Sequence, residues 1–270
     1  MKPMSKFERK FGKYAIPHLT NILIICYAVG YFLYYFANPL LDYLTLNPYA
    51  ILHGQVWRLV TWVIVPPTSS SGMFGLFGTL ITLYFYWSIG STLEQVWGTY
   101  RYNVYLLSGI LFTIVGSFVA YGCAWTFYAD KWGLNVASNA EVIFNAGSTC
   151  FSTYYITMSL FLAFAATFPN AQVLLMFFIP LKVKWLGVMY GVIILFEFFQ
   201  SSVVNFYTEA GTVVSLDFGI FVKISILFSL LNFILFFIIV LIVSKKEKLA
   251  DMRWLQRVAL WTIPLAYIGR

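Results

Sequence analysis

Charge is what this sequence has least of: Asp, Glu, Lys and Arg make up 10% of it, while 61% is hydrophobic. Ordinary soluble domains carry roughly 25% charged residues, so most of this chain has no material for a water-facing surface. Cysteine is scarce as well. Cys26, Cys123 and Cys150 are too few for a disulfide framework, and no CxxC pair is present from which to build a metal site. Histidine occurs only at His18 and His53. The sequence therefore implies neither a metal nor a cofactor. The net charge of +7 does not point to nucleic acid, because the basic residues sit at the chain ends and in short loops beside apolar segments. Membrane orientation accounts for them instead.

What the sequence has in quantity is apolar residues in blocks. A bilayer core about 30 Å thick takes on the order of 20 apolar residues as helix, and lipid offers no water to pair backbone amides. Helices are therefore expected, and six spans are predicted near residues 19–37, 73–93, 102–122, 149–168, 186–199 and 218–243. Asn38-Pro39 ends the first, because proline restricts the residue before it. Residues 51–65 are apolar but too short to cross, and mix Trp57 and Trp62 with Gln55 and Arg58. That pattern predicts an interfacial helical element in the first loop. Residues 123–147, with Asp130, Lys131 and Glu141, are expected in water, and 171–185, broken by Pro180, Lys182 and Lys184, as a short loop along the inner face. Small residues mark packing faces at Gly72, Gly75 and Gly78, at Gly109, Thr113 and Ser117, and in the GxxxG frame of Gly187 and Gly191.

The organisation predicted is a cytoplasmic basic arm (1–18), a six-span membrane domain (19–243) and a cytoplasmic tail (244–270) with a candidate interfacial helix around Trp254 and Trp261. The arm holds five basic residues against Glu8 and is expected against anionic headgroups. The apolar stretch after it has no small-residue cleavage signature, so it reads as a retained helix. On this topology 14 of the 17 basic residues share a side with both ends, while Arg58 and Lys131 lie opposite and Lys223 falls inside a span. The asymmetry places both termini in the cytoplasm, and a five-span count would split them.

Three segments, one around Trp57-Arg58, one from Gly90 to Arg101 and one from Phe168 to Leu186, together resemble the rhomboid superfamily. Gly54-Gln55-Val56-Trp57-Arg58 resembles its first-loop motif, which Derlins share. Gly90, Glu94, Gly98 and Arg101 resemble the end of its second helix. The stretch from Phe168-Pro169-Asn170 through Lys184-Trp185-Leu186 resembles the junction of the fourth and fifth helices in many bacterial rhomboids. The resemblance implies an all-α membrane protein, a six-helix transmembrane bundle of rhomboid type with an interfacial first loop, in a bacterial plasma membrane. Arg58 and Glu94 also have a reading of their own. Ionisable groups at membrane edges are costly unless paired or hydrated, so each is expected to tie a loop to backbone groups or to snorkel.

The same resemblance sets a chemical test. Rhomboid proteolysis uses a serine in Gly-x-Ser-Gly at the start of the fourth span and a histidine in the sixth that takes its proton. Counting back from Phe168-Pro169-Asn170 puts Tyr154 at the serine's position, and no histidine follows His53. Ser148, Ser152 and Thr153 lack the flanking glycines, though a one-turn shift would recruit Ser152. The second-span pair that helps hold the oxyanion maps to Gly78 and Thr82, which lack the needed side chains. Lys223 is the remaining candidate base, since burial lowers a lysine's pKa; it is expected instead to face Asp217, Glu197 or a water pocket, or to snorkel.

Three functions follow as expectations. The first is a pseudoprotease whose bundle binds transmembrane segments of client proteins. The second is a serine protease with displaced residues Ser152 and Lys223. The third is a small transporter or channel, suggested by Lys223, Glu197 and Asn232 in or near spans five and six. Cys123 and Cys150 bracket the same outer loop, where either a bridge or two independent thiols fits, and Cys26 reads as core. The lipid bilayer is the one partner composition requires.

Overall fold

The computed structural model describes residues 10–67, 73–132, 136–175, 179–200, 203–207 and 213–248. After a 3-10 turn at Gly12–Tyr14 come α1 (Leu19–Phe36), α2 (Asn38–Asp42), α3 (Pro48–Leu52) and α4 (Arg58–Thr61). The longer helices are α5 (Met73–Trp97), α6 (Thr99–Trp132), α7 (Val136–Ser148), α8 (Tyr154–Thr167), α9 (Val183–Phe199) and α10 (Gly219–Lys248). Two antiparallel hairpins complete the fold. β1 (Gln172–Leu175) pairs with β2 (Ile179–Lys182) in the register Gln172 to Lys182, and β3 (Val203–Tyr207) pairs with β4 (Val213–Asp217) in the register Val203 to Asp217. Apart from these hairpins the regular structure of the described residues is helical.

Local chemistry sets several boundaries. Asn47 caps α3, its side chain accepting from the Ala50 amide, and Pro48 occupies the first turn, where no backbone donor is needed. Gly98, at φ 87°, makes the left-handed turn between α5 and α6. The Asp217 carboxylate accepts from the Gly219 amide (2.8 Å) at the start of α10.

Among the described residues, four helical segments are long and apolar enough to cross a membrane: Gly12–Phe36, Gly75–Trp97, Thr99–Phe127 and Gly219–Ile238. α8, with 14 residues, rises only about 21 Å, and α9, with 17, about 26 Å. The outer surfaces are strongly apolar. Phe36, Phe199 and Val60 are 77%, 79% and 74% exposed, which a bilayer accommodates and water does not.

One core cluster joins α1, α5, α6, α8 and α9 through Tyr27, Leu93, Tyr105, Phe161 and Leu186. A second joins the first loop to α6, α7 and α10 through Leu46, Trp62, Phe144 and Phe221. The start of α1, the end of α5, the start of α6 and the later part of α10 meet at one face, where the Trp97 ring lies 4.9 Å from that of Phe236 and Asn103 donates to the Ile16 carbonyl (3.0 Å). The opposite face gathers the first loop, α7 and the start of α8. Residues 123–147, expected as an aqueous loop, are instead mostly helical: α6 runs on to Trp132, and α7 follows. The apolar residues among the charges explain this, because Ala124, Ala140, Ile143 and Phe144 are buried in the second cluster. The expected inner loop at 171–185 is the β1–β2 hairpin followed by the start of α9.

Candidate functional site

The polar positions that a bilayer must tolerate fall into four groups. Glu94 sits in the last turn of α5, where its charge opposes that helix's own dipole. It faces the start of α1 instead. One oxygen accepts the His18 backbone amide (2.8 Å) and the other the Thr20 hydroxyl (3.1 Å). The Thr20 hydroxyl in turn lies 3.0 Å from that of Tyr102 on α6. His18 is the non-glycine residue with positive φ (55°) among the described residues, so Glu94 holds a strained entry into α1. Gly90, one turn back, permits the approach: a Cβ there would stand 2.7 Å from Thr20 Cγ2 and 2.9 Å from the Tyr102 hydroxyl. Arg101 follows in the first turn of α6 and is half-buried.

Arg58, only 4% exposed, ties the first loop together. Its Nε donates to Gln55 Oε1 (2.7 Å), and Nη1 donates to the carbonyls of Asp42 (2.7 Å) and Thr45 (3.1 Å) and to Thr45 Oγ1 (3.0 Å). Burial draws its pKa below the usual arginine value, and the nearby Asp42 charge acts the other way. Trp57 is half-exposed and its indole donates to the Tyr43 carbonyl (3.3 Å), while Trp62 is fully buried. Gly30 lets the loop's backbone at Ile64 lie directly on α1. Asn47 donates to Asn145 (2.6 Å), joining this loop to α7.

A third group lies at the start of α8. The Tyr154 hydroxyl donates to Glu197 Oε1 on α9 (3.0 Å). Glu197 Oε2 is buried, with Tyr155 beside the same carboxylate. The Ser152 hydroxyl accepts the Tyr154 amide (3.2 Å), Thr153 donates to the Val65 carbonyl (3.3 Å), and the buried Ser148 donates to the Asn145 carbonyl (2.7 Å). A cavity of about 230 Å³ beside Ser152 is walled by Thr45, Trp62, Pro66, Ser148 and Phe151. Among the described residues, no imidazole or amine lines it. Lys223, the candidate base, is exposed on α10, so a place inside the bundle facing Asp217 or Glu197 is not what it adopts. The physical reason is its apolar alternative: at that turn the inward positions are taken by Phe221, Ser225 and Ile226, and a lysine's flexible stem lets its amine snorkel.

The fourth group is a polar seam between α6, α8 and α10. Ser108 donates to Asn232 Oδ1 (2.7 Å), Asn232 Nδ2 donates to the Tyr105 carbonyl (3.2 Å), the Tyr105 hydroxyl donates to Ser159 (3.0 Å), and Ser229 donates to the Tyr155 carbonyl (2.7 Å). Asn232 is thus engaged on both ends of its amide. Gly109 and Gly116 face α10 closely: a Cβ on the former would meet Asn232 Nδ2 at 3.2 Å, and on the latter the Phe228 ring at 3.0 Å.

Other predicted positions separate in the fold. Gly78 and Thr82 are half-buried on α5, and a Cβ at Gly78 would touch nothing within 4 Å. The buried neighbour Thr79 shares a hydrogen bond with Tyr35 instead (3.2 Å). Gly187 packs against α8, its added Cβ only 2.6 Å from that of Ala165, whereas Gly191 opens onto a groove, with nothing among the described residues within 4 Å of where its Cβ would stand. Cys26, Cys123 and Cys150 are free thiols, the second exposed and the third half-buried, so of the two alternatives for Cys123 and Cys150 the structure holds separate thiols. His53 stays local, its ring nitrogen 2.7 Å from the Tyr49 carbonyl. Among the described residues no three histidine, cysteine or carboxylate side chains gather as a metal site would require. Sequence reasoning missed the Thr20–Glu94–Tyr102 cluster and the Asn47–Asn145 contact. Their signal was weak: polar residues at helix ends, with nothing in the spacing to pair them.

Long apolar helices, lipid-compatible surfaces and polar groups knotted at the helix ends define a multi-pass integral membrane protein. Over residues 21–225 the chain matches the family described as eukaryotic integral membrane protein (DUF1751), and it belongs to that family. The family is eukaryotic, which overturns the expectation of a bacterial plasma membrane; the motifs behind that expectation are packing and capping devices that any helical membrane protein can use. No curated protein and no solved structure matches the chain.

Proposed function

We propose that the chain is a rhomboid-like pseudoprotease of a eukaryotic membrane, with six spans and both termini in the cytoplasm, that binds transmembrane segments of client proteins. α8 and α9 are counted as the fourth and fifth spans; local bilayer thinning and snorkelling of flanking residues accommodate short helices at modest cost. The observation that carries the reading is at Tyr154. At the position of the resemblance's nucleophile stands a phenol whose proton is committed to Glu197 (3.0 Å). Chemistry there would need a base within about 3 Å of a small nucleophile. The candidate amine, Lys223, is exposed, and the Ser152 hydroxyl serves the Tyr154 amide. What the bundle retains is the means to hold a helix: an apolar exterior with a carboxyl inside its edge.

The experiment is incubation of the purified protein with a helical single-span substrate in liposomes, with and without Ser152→Ala, alongside measurement of complex formation. Stable association without cleavage is the expected result. Cleavage that Ser152→Ala abolishes would restore the protease, and solute flux through the same liposomes without helix binding would favour a transporter.

A further inference from the structure

We propose that Lys223 and the groove between α9 and α10 form a binding site for one anionic glycerophospholipid, its headgroup at the lysine amine and one acyl chain in the groove. The charge is the first observation. Lys223 is exposed near the start of α10, a helix long and apolar enough to cross a membrane. A cation at a lipid-facing position is costly unless something outside the chain neutralises it. Among the described residues no carboxylate pairs with it, and Asp217, six residues back, is held at the Gly219 amide (2.8 Å). Helix geometry tilts the lysine stem toward the N-terminal end of α10, where that span leaves the hydrocarbon. The amine is thereby carried to the level of headgroups.

The second observation is an apolar groove of about 400 Å³, walled by Val188, Gly191, Val192 and Leu195 of α9, Leu162 of α8 and Leu230 of α10. It is in line with that amine. Lys223 is seven residues from Leu230, within about 20° of two full turns, so both lie on one stripe of α10 about 10 Å apart along its axis, with the exposed Leu227 between them. The two helices run antiparallel at this seam: Gly191 shares the groove with Leu230, while Ile194 shares a core cluster with Ile226. The way up α9 from Gly191 to the exposed Phe199 therefore follows the way from Leu230 to Lys223. Size selects the occupant. One turn of helix, about 10 Å across and about 5.4 Å tall, fills about 420 Å³ by itself, so the groove takes a slender acyl chain and not a helix. Gly191, with nothing within 4 Å of where its Cβ would stand, keeps the groove open. Charge selects the headgroup: in a zwitterionic lipid the phosphate already has its own cation, so an anionic headgroup gains most from the amine.

The test uses the full chain in phosphatidylcholine liposomes doped with phosphatidylserine or phosphatidylcholine that carries a photoreactive diazirine on one acyl chain, followed by mass spectrometry of the crosslinked peptides. Phosphatidylserine should crosslink to residues 188–195 and to α10 around Leu230 about fivefold more than phosphatidylcholine does, the effect of one lysine beside an anionic headgroup. Anionic lipid drawn by the basic arm (1–18) marks other peptides, so these two segments report the site alone. Lys223→Gln should bring the two lipids level there, Lys223→Arg should keep the preference, and Gly191→Leu, which fills the groove, should lower crosslinking of both. Thermal melting of each variant checks that it is folded. Equal crosslinking of the two lipids in the wild type, a preference untouched by Lys223→Gln, or labels confined to other segments would overturn the site. So would displacement of the labelled lipid by a single-span peptide carrying aspartate, which would make a helix the occupant.

Discussion

Removing the Glu94 carboxyl should destabilise the start of α1 more than any other single truncation at that face. Glu94→Ala deletes the acceptor of the His18 amide (2.8 Å) and of the Thr20 hydroxyl (3.1 Å), and leaves His18 strained at φ 55° with nothing to hold it. A lost helix cap costs about 1 kcal/mol, and a hydrogen bond to a charged group about 1.5–3 kcal/mol, discounted here because the site is only half-buried. A total near 2–4 kcal/mol follows. Glu94→Gln keeps one acceptor oxygen and should lose about 1 kcal/mol. For a chain of this size 1 kcal/mol corresponds to roughly 2–4 °C in Tm. The assay is melting of detergent-solubilised protein followed by size-exclusion chromatography, with hydrogen exchange of the first turn of α1 as a local readout. Thr20→Val completes a double-mutant cycle, whose coupling should be about 1 kcal/mol because both residues share one hydrogen bond. Glu94→Ala melting with the wild type, or exchange unchanged between Leu19 and Leu23, would refute the capping role.

Arg58→Ala should cost about 3 kcal/mol or more, because it strips donors from the Asp42 and Thr45 carbonyls, while Arg58→Lys should recover part of that and lose the Gln55 contact; melting temperatures decide it. Gly187→Ala should destabilise by about 1–3 kcal/mol because its Cβ collides with Ala165, whereas Gly191→Ala should be neutral or stabilising by up to about 1 kcal/mol as a helix former, a contrast the same melts report. Burial pushes the Cys150 thiol up to about 11, so at pH 8 only about one molecule in a thousand carries the thiolate there. Maleimide should therefore label exposed Cys123 and spare Cys150 at pH 8; mass spectrometry of the peptides distinguishes them.

Helix existence was readable because lipid leaves a chain few options. The boundaries at Phe36 and near residue 73, and the start of the last helix, follow from apolar blocks and from the Asn38-Pro39 break. Where charge and apolar residues interleave, reading by polarity failed. Asp130, Lys131 and Glu141 argued for an aqueous loop, yet Ile143 and Phe144 bury fully and draw α7 into the core. Helical spacing also could not say which small residues face a neighbour. Gly187 and Gly191 look alike in sequence, and only one meets a helix. At the site, Glu94 and Arg58 were expected to tie a loop to backbone groups or to snorkel, and the backbone groups they meet are the His18 amide and the Asp42 and Thr45 carbonyls. Backbone groups leave no mark in a side-chain pattern, so which ones they would be was beyond reach.

The ionisable groups near the apolar segments divide by what satisfies them, and that division argues for where function sits. Glu94 meets a helix start and a hydroxyl, so both oxygens are engaged. Arg58 reaches an amide side chain and two carbonyls and stays buried, and Lys223 escapes outward along its stem. Glu94 and Arg58 are explained by the fold alone: change either and stability or insertion suffers, with nothing left over. Glu197 is met by the Tyr154 hydroxyl and has Tyr155 beside it, so phenols rather than backbone groups hold this carboxyl at the edge of the bundle. Of these four residues it is the one that lies against Tyr154, where the resemblance puts a nucleophile, and there it holds a phenol in place instead of activating a hydroxyl. Removing it would leave its phenol partner to find another acceptor inside the bundle, which is a cost in stability.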